Sequence, residues 1–386
     1  MTSQITILDA GASPLSGSPA ASGLRYLSAL AREGARSFVD NADVAVEILV
    51  VGDRALPLVV SRGRRGNSAV CSPHAHYVRY VAEARARRHP AIPAACFHAL
   101  GLPMSLISRV GRFDEVAYVN NWLWNTNPKP RLTAAEIGAL TARLTARHPQ
   151  AAILLRSVNP ELDRPTFDAL RRSGYRLIRS REVFVLDTGG GRHLAHANSR
   201  RDAVFLNRTA YEIVRSPERL GAEAPRIAAL YRDLNLVKYP ALNPQFNTRF
   251  FELTIREEVL SYFALAADGG IDAFMASFVE DDVVTSSLVG YDRELPRDRG
   301  LYRLVMAQLI ADAAARGLRL NLGSGAASFK RLRGAHPVTE FDAVYDRHLA
   351  RPRRLAWACL ALAANRHGRE EPRTAGDSFS AESLRP

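Results

Sequence analysis

The order strand, loop, helix, strand, helix, strand occurs between Glu115 and Asp187 and again between Val283 and Tyr345, which restricts the chain to folds that can be built twice. The second copy is the clearer. Its centre, Leu301 to Gly334, reads LYRLVMAQLIADAAARGLRLNLGSGAASFKRLRG. Leu301, Leu304, Val305, Leu309 and Ile310 recur at helical spacing with Arg303, Gln308 and Asp312 between them, the pattern of an amphipathic helix closed by Gly317. Leu318 to Leu322 then alternate as a strand. Gly323, Ser324 and Gly325 make a turn that a ligand or another backbone can approach closely, and Phe329, Lys330, Arg331 and Arg333 start a basic helix. The first helices of the two copies start at Thr133 and Leu301, 168 residues apart.

Antiparallel hairpins precede both copies. Val44 to Val51 and Ala55 to Ser61 flank Gly52-Asp53, with Asn67 to Cys71 as a third strand; Val259 to Ala266, Ile271 to Phe278 and Val283 to Gly290 are joined by Asp268-Gly269-Gly270 and Asp281-Asp282. In the first copy the hydroxyl of Thr133 and Glu136 fit a capping box. The fold class is therefore α/β (α+β), with two tandem domains, each a mixed, largely antiparallel sheet flanked by helices. The divisions are a flexible start at 1–23, a first domain at 24–188, a linker and helix at 189–222 opened by a glycine triplet, and a second domain at 223–349 carrying the site. A basic amphipathic helix at 350–368 and a disordered tail at 369–386 follow.

Lys and Arg number 52 against 39 Asp and Glu, a net charge of +13. Such an excess suits coenzyme A phosphates, an acidic carrier protein or tRNA, and an arginine-rich surface with no specific partner is the plain alternative. Three distant cysteines, Cys71, Cys96 and Cys359, lack the spacing of a disulfide framework or zinc site, which suits a reducing cytoplasm. His74 and His76 have no third ligand at a known spacing, so no metal is expected. No run reaches the ~18 apolar residues of a membrane span, so integral membrane association is not expected. Arg351 to Arg369 reads as a short apolar helix between arginines that would pack on the second domain, meet an anionic membrane surface or contact tRNA.

With LVKYPALNPQF, LNLGSGAASFKRLRGA and FDAVYDRHL, the chain resembles the tandem GNAT-fold transferases, a group that includes the Fem-type aminoacyl-tRNA-dependent ligases and related acetyltransferases. The resemblance implies a sheet that splays beside a loop and helix whose backbone amides hold the pyrophosphate of acyl-CoA. In the second half Arg297, Asp298, Arg299, Gly300 and Leu301 occupy the position of that loop, keeping one glycine and the basic character, so Arg297, Arg299, Gly300 and Leu301 become the cofactor-binding candidates. In the first half Asn125 to Arg131 has two prolines and no glycine, which implies a degenerate copy.

Acyl transfer to an amine needs a polarised carbonyl, a deprotonated nucleophile and a proton donor for the leaving group. Lys330 and Arg331 can neutralise phosphate or an oxyanion, or form a solvated basic face; Ser324 lines the turn before them. Lys238, Tyr239, Asn243 and Asn247 sit in a polar, aromatic loop suited to substrate contact or to bracing the sheet. Tyr302 starts the helix after the implied phosphate loop and either donates a hydrogen bond there or joins the core. The resemblance puts Glu340, Tyr345 and His348 on or after the last strand facing the acceptor, with Glu340 or His348 as the base. Strand alternation places Glu340 and Tyr345 on opposite faces unless a bulge intervenes.

The expected activity is an N-acyltransferase passing an acyl group from acyl-CoA, acetyl-CoA among the candidates, or from a carrier-bound thioester, to an amine of a small molecule or peptide. The alternatives are a Fem-type transferase using aminoacyl-tRNA and a non-catalytic binding protein on a decayed scaffold.

Overall fold

The computed structural model describes residues 5–8, 21–64, 66–89, 91–237 and 241–367; the expectations for 1–4, 9–20 and 369–386 lie outside them. The first half runs β1 (Ile5–Leu8), α1 (Ala21–Glu33), β2 (Ala45–Val51), β3 (Arg54–Arg62), α2 (Tyr80–Arg88), α3 (Ala94–Leu100), α4 (Leu102–Gly111), β4 (Glu115–Val119), α5 (Ala134–Arg147), β5 (Ala152–Val158), α6 (Arg164–Arg172) and β6 (Arg176–Leu186). After a 3-10 turn come α7 (Ala197–Asn207), β7 (Glu212–Val214), α8 (Pro217–Ala222), α9 (Ala224–Arg232), α10 (Thr248–Arg256), β8 (Ser261–Ala267), β9 (Gly270–Glu280) and β10 (Val283–Tyr291). The chain continues as α11 (Leu301–Ala315), β11 (Arg319–Asn321), α12 (Ala327–Arg331), β12 (His336–Tyr345) and α13 (Arg351–His367).

The described residues fall into two compact units. The first holds the described residues within 5–181, 241–245 and 339–367. Its strands lie in the order β1-β2-β3-β4-β5-β12, with β4 and β5 parallel and the other pairs antiparallel. The β2–β3 hairpin turns at Gly52, whose φ of 61° suits a residue without Cβ. Parallel neighbours need a crossover, and α5 supplies it between β4 and β5. As expected, Thr133 accepts from the Glu136 amide at its start while the Glu136 carboxylate accepts from the Thr133 amide. Alternate residues of the strands, Leu58, Val60, Ala117, Val119, Ile153, Leu155 and Ala343, meet Ile137, Leu140 and Leu144 of α5 in one core.

The second unit holds the described residues of 182–237 and 246–338, with strand order β6-β11-β10-β9-β8-β7. Again one parallel pair, β10 with β11, is bridged by a helix, α11, and β11–β6, β10–β9, β9–β8 and β8–β7 are antiparallel. The repeat is thus visible in the pairing. Helices α5 and α11 start at Ala134 and Leu301, and strands β5 and β11 at Ala152 and Arg319, so 167 residues separate both pairs. Strands β6 and β12 are each divided between the units: 182–186 of β6 lies with the second, beside β11, and 339–345 of β12 lies with the first, beside β5.

Four expectations need correction. Helix α11 is buried almost all round, from Leu304 to Ile310 without a break, because α7 covers the side that the sequence pattern leaves polar; its Gln308 is satisfied by Asp312 at 2.7 Å. Asn67 to Cys71 is a turn, held by Ser68 donating to the Asn41 carbonyl and Ala69 to that of Leu242, and β4 takes the place beside β3. The glycine triplet is a tight turn: Asp187 accepts from the Gly189 amide, and Gly190 and Gly191 take left-handed φ of 59° and 73°. Helix α13 packs in the first unit against α4: Trp357 is buried with its ring 4.3 Å from Phe113, and buried Arg353 donates to the Gly111 carbonyl at 3.1 Å. Among the described residues, no helix is long and apolar enough to cross a membrane.

Cys96 and Cys359 are exposed, whereas Cys71 is fully enclosed and burial pushes its thiol up to about 11. Since the thiolate is the reactive form, Cys71 stays protonated and shielded near neutral pH. A thiol titration of the native protein should register the two exposed cysteines rapidly and the third only after denaturation; rapid reaction of all three would contradict the packing of this turn.

Candidate functional site

The second unit contains an opening made by its own strands. Pairing between β10 and β11 lasts three residues, from Val283 with Arg319 to Thr285 with Asn321, and β10 then runs on to Tyr291. At the parting a β-bulge leaves Ser287 without a partner on β9, and the Ser287 hydroxyl is buried with no hydrogen bond among the described residues. The chain after β11 stays with β6 instead: Leu322 donates to the Phe184 carbonyl at 2.8 Å, and Phe184 donates to that of Gly323 at 3.2 Å. One strand leaves and its neighbour is held back, so the sheet splays.

Lys330 does the holding. It is 2 % exposed, and its ammonium donates to the carbonyls of Gly323 and Ser324, both at 2.9 Å. Its Nζ and the Arg331 guanidinium also lie over the Phe184 ring, at 5.5 and 5.2 Å from the centroid, while Arg331 pairs with Glu182 at 3.2 Å. Lys330 is therefore a buried strut that fixes the turn; Arg331 is partly exposed at its margin and Ser324 is exposed. Gly323 and Gly325 take φ of 67° and 80°, and Asn321 accepts from the Gly323 amide at 3.0 Å, so the turn doubles back tightly enough for its carbonyls to meet one lysine.

At the far end, the 3-10 turn Arg297–Arg299 leads into Gly300, in left-handed conformation at φ 60°, as the N-cap of α11 with no side-chain cap. The Gly300 amide is taken by the Arg297 carbonyl at 3.0 Å, so the α11 first turn, beginning with Leu301, rather than the loop itself, carries the amides without intrahelical acceptors. Arg297 and Arg299 are exposed beside it. Tyr211 donates to Asp272 at 2.8 Å, and its phenol is pushed up to about 12 by burial and by that carboxylate, with Arg299 opposing the shift. Tyr302 sits between Tyr291 and Phe329, ring centroids 6.0 and 5.1 Å away.

Helix α7 fixes this end. Buried Asp202 accepts from Arg303 of α11 and from Arg333 after α12, one carboxylate oxygen to each. Phe205 lies so close to Gly300 that a Cβ there would come within 2.8 Å of its ring. On the other side, Asn235 in the π-helical turn Asp233–Val237 donates to the Val289 carbonyl at 2.9 Å, bracing the free stretch of β10. Asp202, Phe205, Asn235 and Ser287 escape sequence reasoning: the first three owe their roles to partners far along the chain, and Ser287 to a bulge that leaves it without one.

The remaining candidates are placed as follows. Asn247 caps α10, accepting from Phe250 at 3.3 Å, and the Asn243 carbonyl accepts from Asn41 at 2.9 Å in the first unit. Lys238 and Tyr239 lie outside the described residues. Glu340 and His348 belong to the first unit. Glu340 is buried and accepts from Arg181 at 2.8 Å. The His348 ring meets the Ala151 carbonyl at 2.9 Å, stacks on Tyr345, and is held below the usual histidine range by burial. Strand alternation holds at the end of β12, since Tyr345 packs into the first unit's core while Glu340 does not. Because β12 ends at Tyr345, no strand face carries on to His348.

The equivalent parting in the first unit is filled. Counting 167 residues back, Arg156 corresponds to Gly323, and its guanidinium donates to Asn121 Oδ1 at 3.3 Å and to the carbonyls of Trp124 at 3.2 Å and Asn125 at 3.4 Å. A shift in register sets Arg156 and Ser157 opposite Asp342, whose buried carboxyl accepts from Tyr77 at 2.8 Å and is raised in pKa by burial, with Arg156 the chief opposing charge. The arginine thus takes up the space between β4 and β5 and ties down the loop beyond it. His74 and His76 are engaged by serines, at 3.0 Å from Ser108 Oγ and 2.9 Å from Ser180 Oγ.

Replacing Lys330 should register in stability before anything else. Lys330→Met keeps the apolar stem but strands two carbonyls, for a loss of about 2 kcal/mol, and Lys330→Ala adds a cavity, for about 3 to 5 kcal/mol in all. Urea denaturation measures both; losses within about 0.5 kcal/mol of zero would mean that the turn stands without its strut.

Residues 196–331 match the family model described as an acetyltransferase (GNAT) domain. No curated protein sequence matches the chain. Among solved structures, FemX shares 10% identity over 79% of this chain and 89% of its own at a TM-score of 0.48. A tandem GNAT protein from the clavulanic acid biosynthesis pathway shares 12% over 89% and 98% at 0.38. The C-terminal domain of a lysylphosphatidylglycerol synthetase from Agrobacterium fabrum shares 14% over 64% and 81% at 0.44. These likenesses are distant; the match over 196–331 spans the splayed strands, the α11 N-terminus and the Lys330 turn, so it is these residues that resemble an acetyltransferase (GNAT) domain.

Proposed function

We propose that the second unit is an N-acyltransferase that takes its acyl group from acyl-CoA, or from a carrier-bound thioester with the same phosphopantetheine arm, and passes it to an amine by direct attack. The observation that supports this most is the pair of partings compared above. Where the first unit inserts Arg156, the second has Gly323, and a Cβ built there would meet only the Ser286 carbonyl at 3.8 Å. The space beside β10 is left for a slender chain. The α11 N-terminus, with Arg297 and Arg299 beside it, suits the pyrophosphate at one end of that chain.

In this reading the amine lone pair attacks the thioester carbonyl, the carbon–sulfur bond breaks, the nitrogen sheds a proton to solvent, and the departing thiolate takes one from an acid that solvent then reprotonates. Ser287, whose buried hydroxyl lacks a partner among the described residues, is the group available at the bulge to hydrogen-bond the reacting carbonyl or the acceptor. Tyr302 is the member of the expected catalytic set that lies in the second unit, and we assign it the proton for the departing thiolate. Glu340, bound to Arg181, and His348, bound to a backbone carbonyl, are better suited to holding the first unit together. The filled parting of the first unit supports a degenerate copy that leaves donor binding to the second.

Calorimetric titration with acetyl-CoA tests the reading. The native chain should bind, and Gly323→Arg, which copies the first unit, should lose at least about tenfold in affinity with its circular-dichroism spectrum retained; the left-handed φ adds about 1 to 2 kcal/mol of strain. Arg297→Ala with Arg299→Ala should weaken binding and flatten its salt dependence. Binding of charged tRNA in place of any thioester, falling steeply with salt, would favour the aminoacyl-tRNA alternative. Binding of neither would favour the non-catalytic one.

A further inference from the structure

The first unit presents an apolar, cationic surface that acyl transfer does not use. Among the described residues, thirteen large hydrophobic side chains are exposed, and eight of them lie on or between α2 and α4 or on α13. Single exposed leucines are ordinary, but a concentration of this kind is not. On α4, Leu102, Leu106 and Val110 follow one another at helical spacing and are 59%, 59% and 56% exposed. On its neighbour α13, Leu355 and Leu362 are 67% and 54% exposed, with exposed Cys359 between them. Buried Trp357 and Arg353 anchor the inner side of α13 to α4 and Phe113, so these outward residues are not waiting to fold into the core.

Charge identifies the partner. Between Glu83 and Asp114 the sequence has five arginines and no carboxylate, and between Asp346 and Glu370 it has six arginines and no carboxylate. Arg109 on α4 and Arg351, Arg354 and Arg366 on α13 are exposed, so the leucines of α13 lie between arginines at either end of its outer face. A groove along the flank of the same helix is lined by Leu177, Ala361, Leu362, Asn365 and Arg366. Nucleic acid would match the arginines but leave the leucines in water. We infer that the outer faces of α4 and α13 form a docking surface for an anionic lipid bilayer, with leucines entering the acyl boundary and arginines reaching phosphate headgroups. Neither helix crosses the membrane; both lie along it.

The test is flotation of the full-length chain with vesicles of phosphatidylcholine alone and of phosphatidylcholine with phosphatidylglycerol. Binding is expected to the anionic vesicles and to be at least about tenfold weaker on the neutral ones. Leu102→Asp with Leu106→Asp, and separately Leu355→Asp, should release the protein while acetyl-CoA titration and thermal unfolding stay as in the parent chain. That readout separates failure here from failure of the acyltransferase reading. Arg351→Ala with Arg354→Ala and Arg366→Ala should also weaken binding. The inference falls if neither vesicle binds, if both bind equally, or if the aspartate variants bind as before, which would assign binding to the overall positive charge. It also falls if ultracentrifugation shows a dimer that those variants dissociate, since the face would then join two copies of the chain.

Discussion

The organisation of the second unit depends on one parallel strand pair that separates after three residues. Two interactions keep it apart. The β6 backbone retains Leu322 and Gly323 through Phe184, and the Lys330 ammonium gathers the carbonyls of Gly323 and Ser324 below them. An ammonium can be buried at 2 % exposure only if its donors are met, and two carbonyls at 2.9 Å with an aromatic face nearby meet that condition. Everything proposed for the site follows from the space this leaves beside β10: the orphaned Ser287 at the bulge, the Asn235 brace on Val289, and the α11 N-terminus at the far end.

The two units show how one topology can be opened or filled by a single position. In each, an antiparallel meander leads to a parallel neighbour through a crossover helix; in the second β10 runs on past the pairing, whereas in the first β4 ends with it at Val119. Arg156 fills the first parting and bonds the carbonyls of the loop beyond, a loop whose prolines have no amides to offer a phosphate. At Gly323 in the second, an added Cβ would meet only the Ser286 carbonyl, 3.8 Å away. The asymmetry is the ground for assigning donor binding to the second unit alone in the proposed function.

Much of this was legible in the sequence. Hairpins at Gly52-Asp53 and Gly269-Gly270, the Thr133–Glu136 capping box and the repeated strand–helix–strand order are local signals, because turn chemistry, caps and periodicity act within a few residues. The candidate loop Arg297 to Leu301 and the turn at Gly323 were legible for the same reason. Roles were less so. Lys330 reads as a partner for phosphate or an oxyanion and is a buried strut, and Glu340 reads as a base on a strand and is the partner of Arg181. A side chain's charge is written in the sequence, but whether it meets solvent, substrate or a backbone carbonyl depends on contacts made across the fold.

What the sequence determined by itself is a chain of two repeated α/β halves, strongly basic, with a glycine-bearing turn and a helix start in the second half. Tertiary structure decided the rest. It divided β6 and β12 between the two units, set Gly323 against Arg156 as counterparts, covered α11 with α7 through Asp202, and turned α13 towards α4. The physical reason is that strand register, buried ion pairs and the face a helix hides are settled by partners more than a hundred residues away in several of these cases, as with Asp202 and Arg333, 131 residues apart, and Gly111 and Arg353, 242 residues apart.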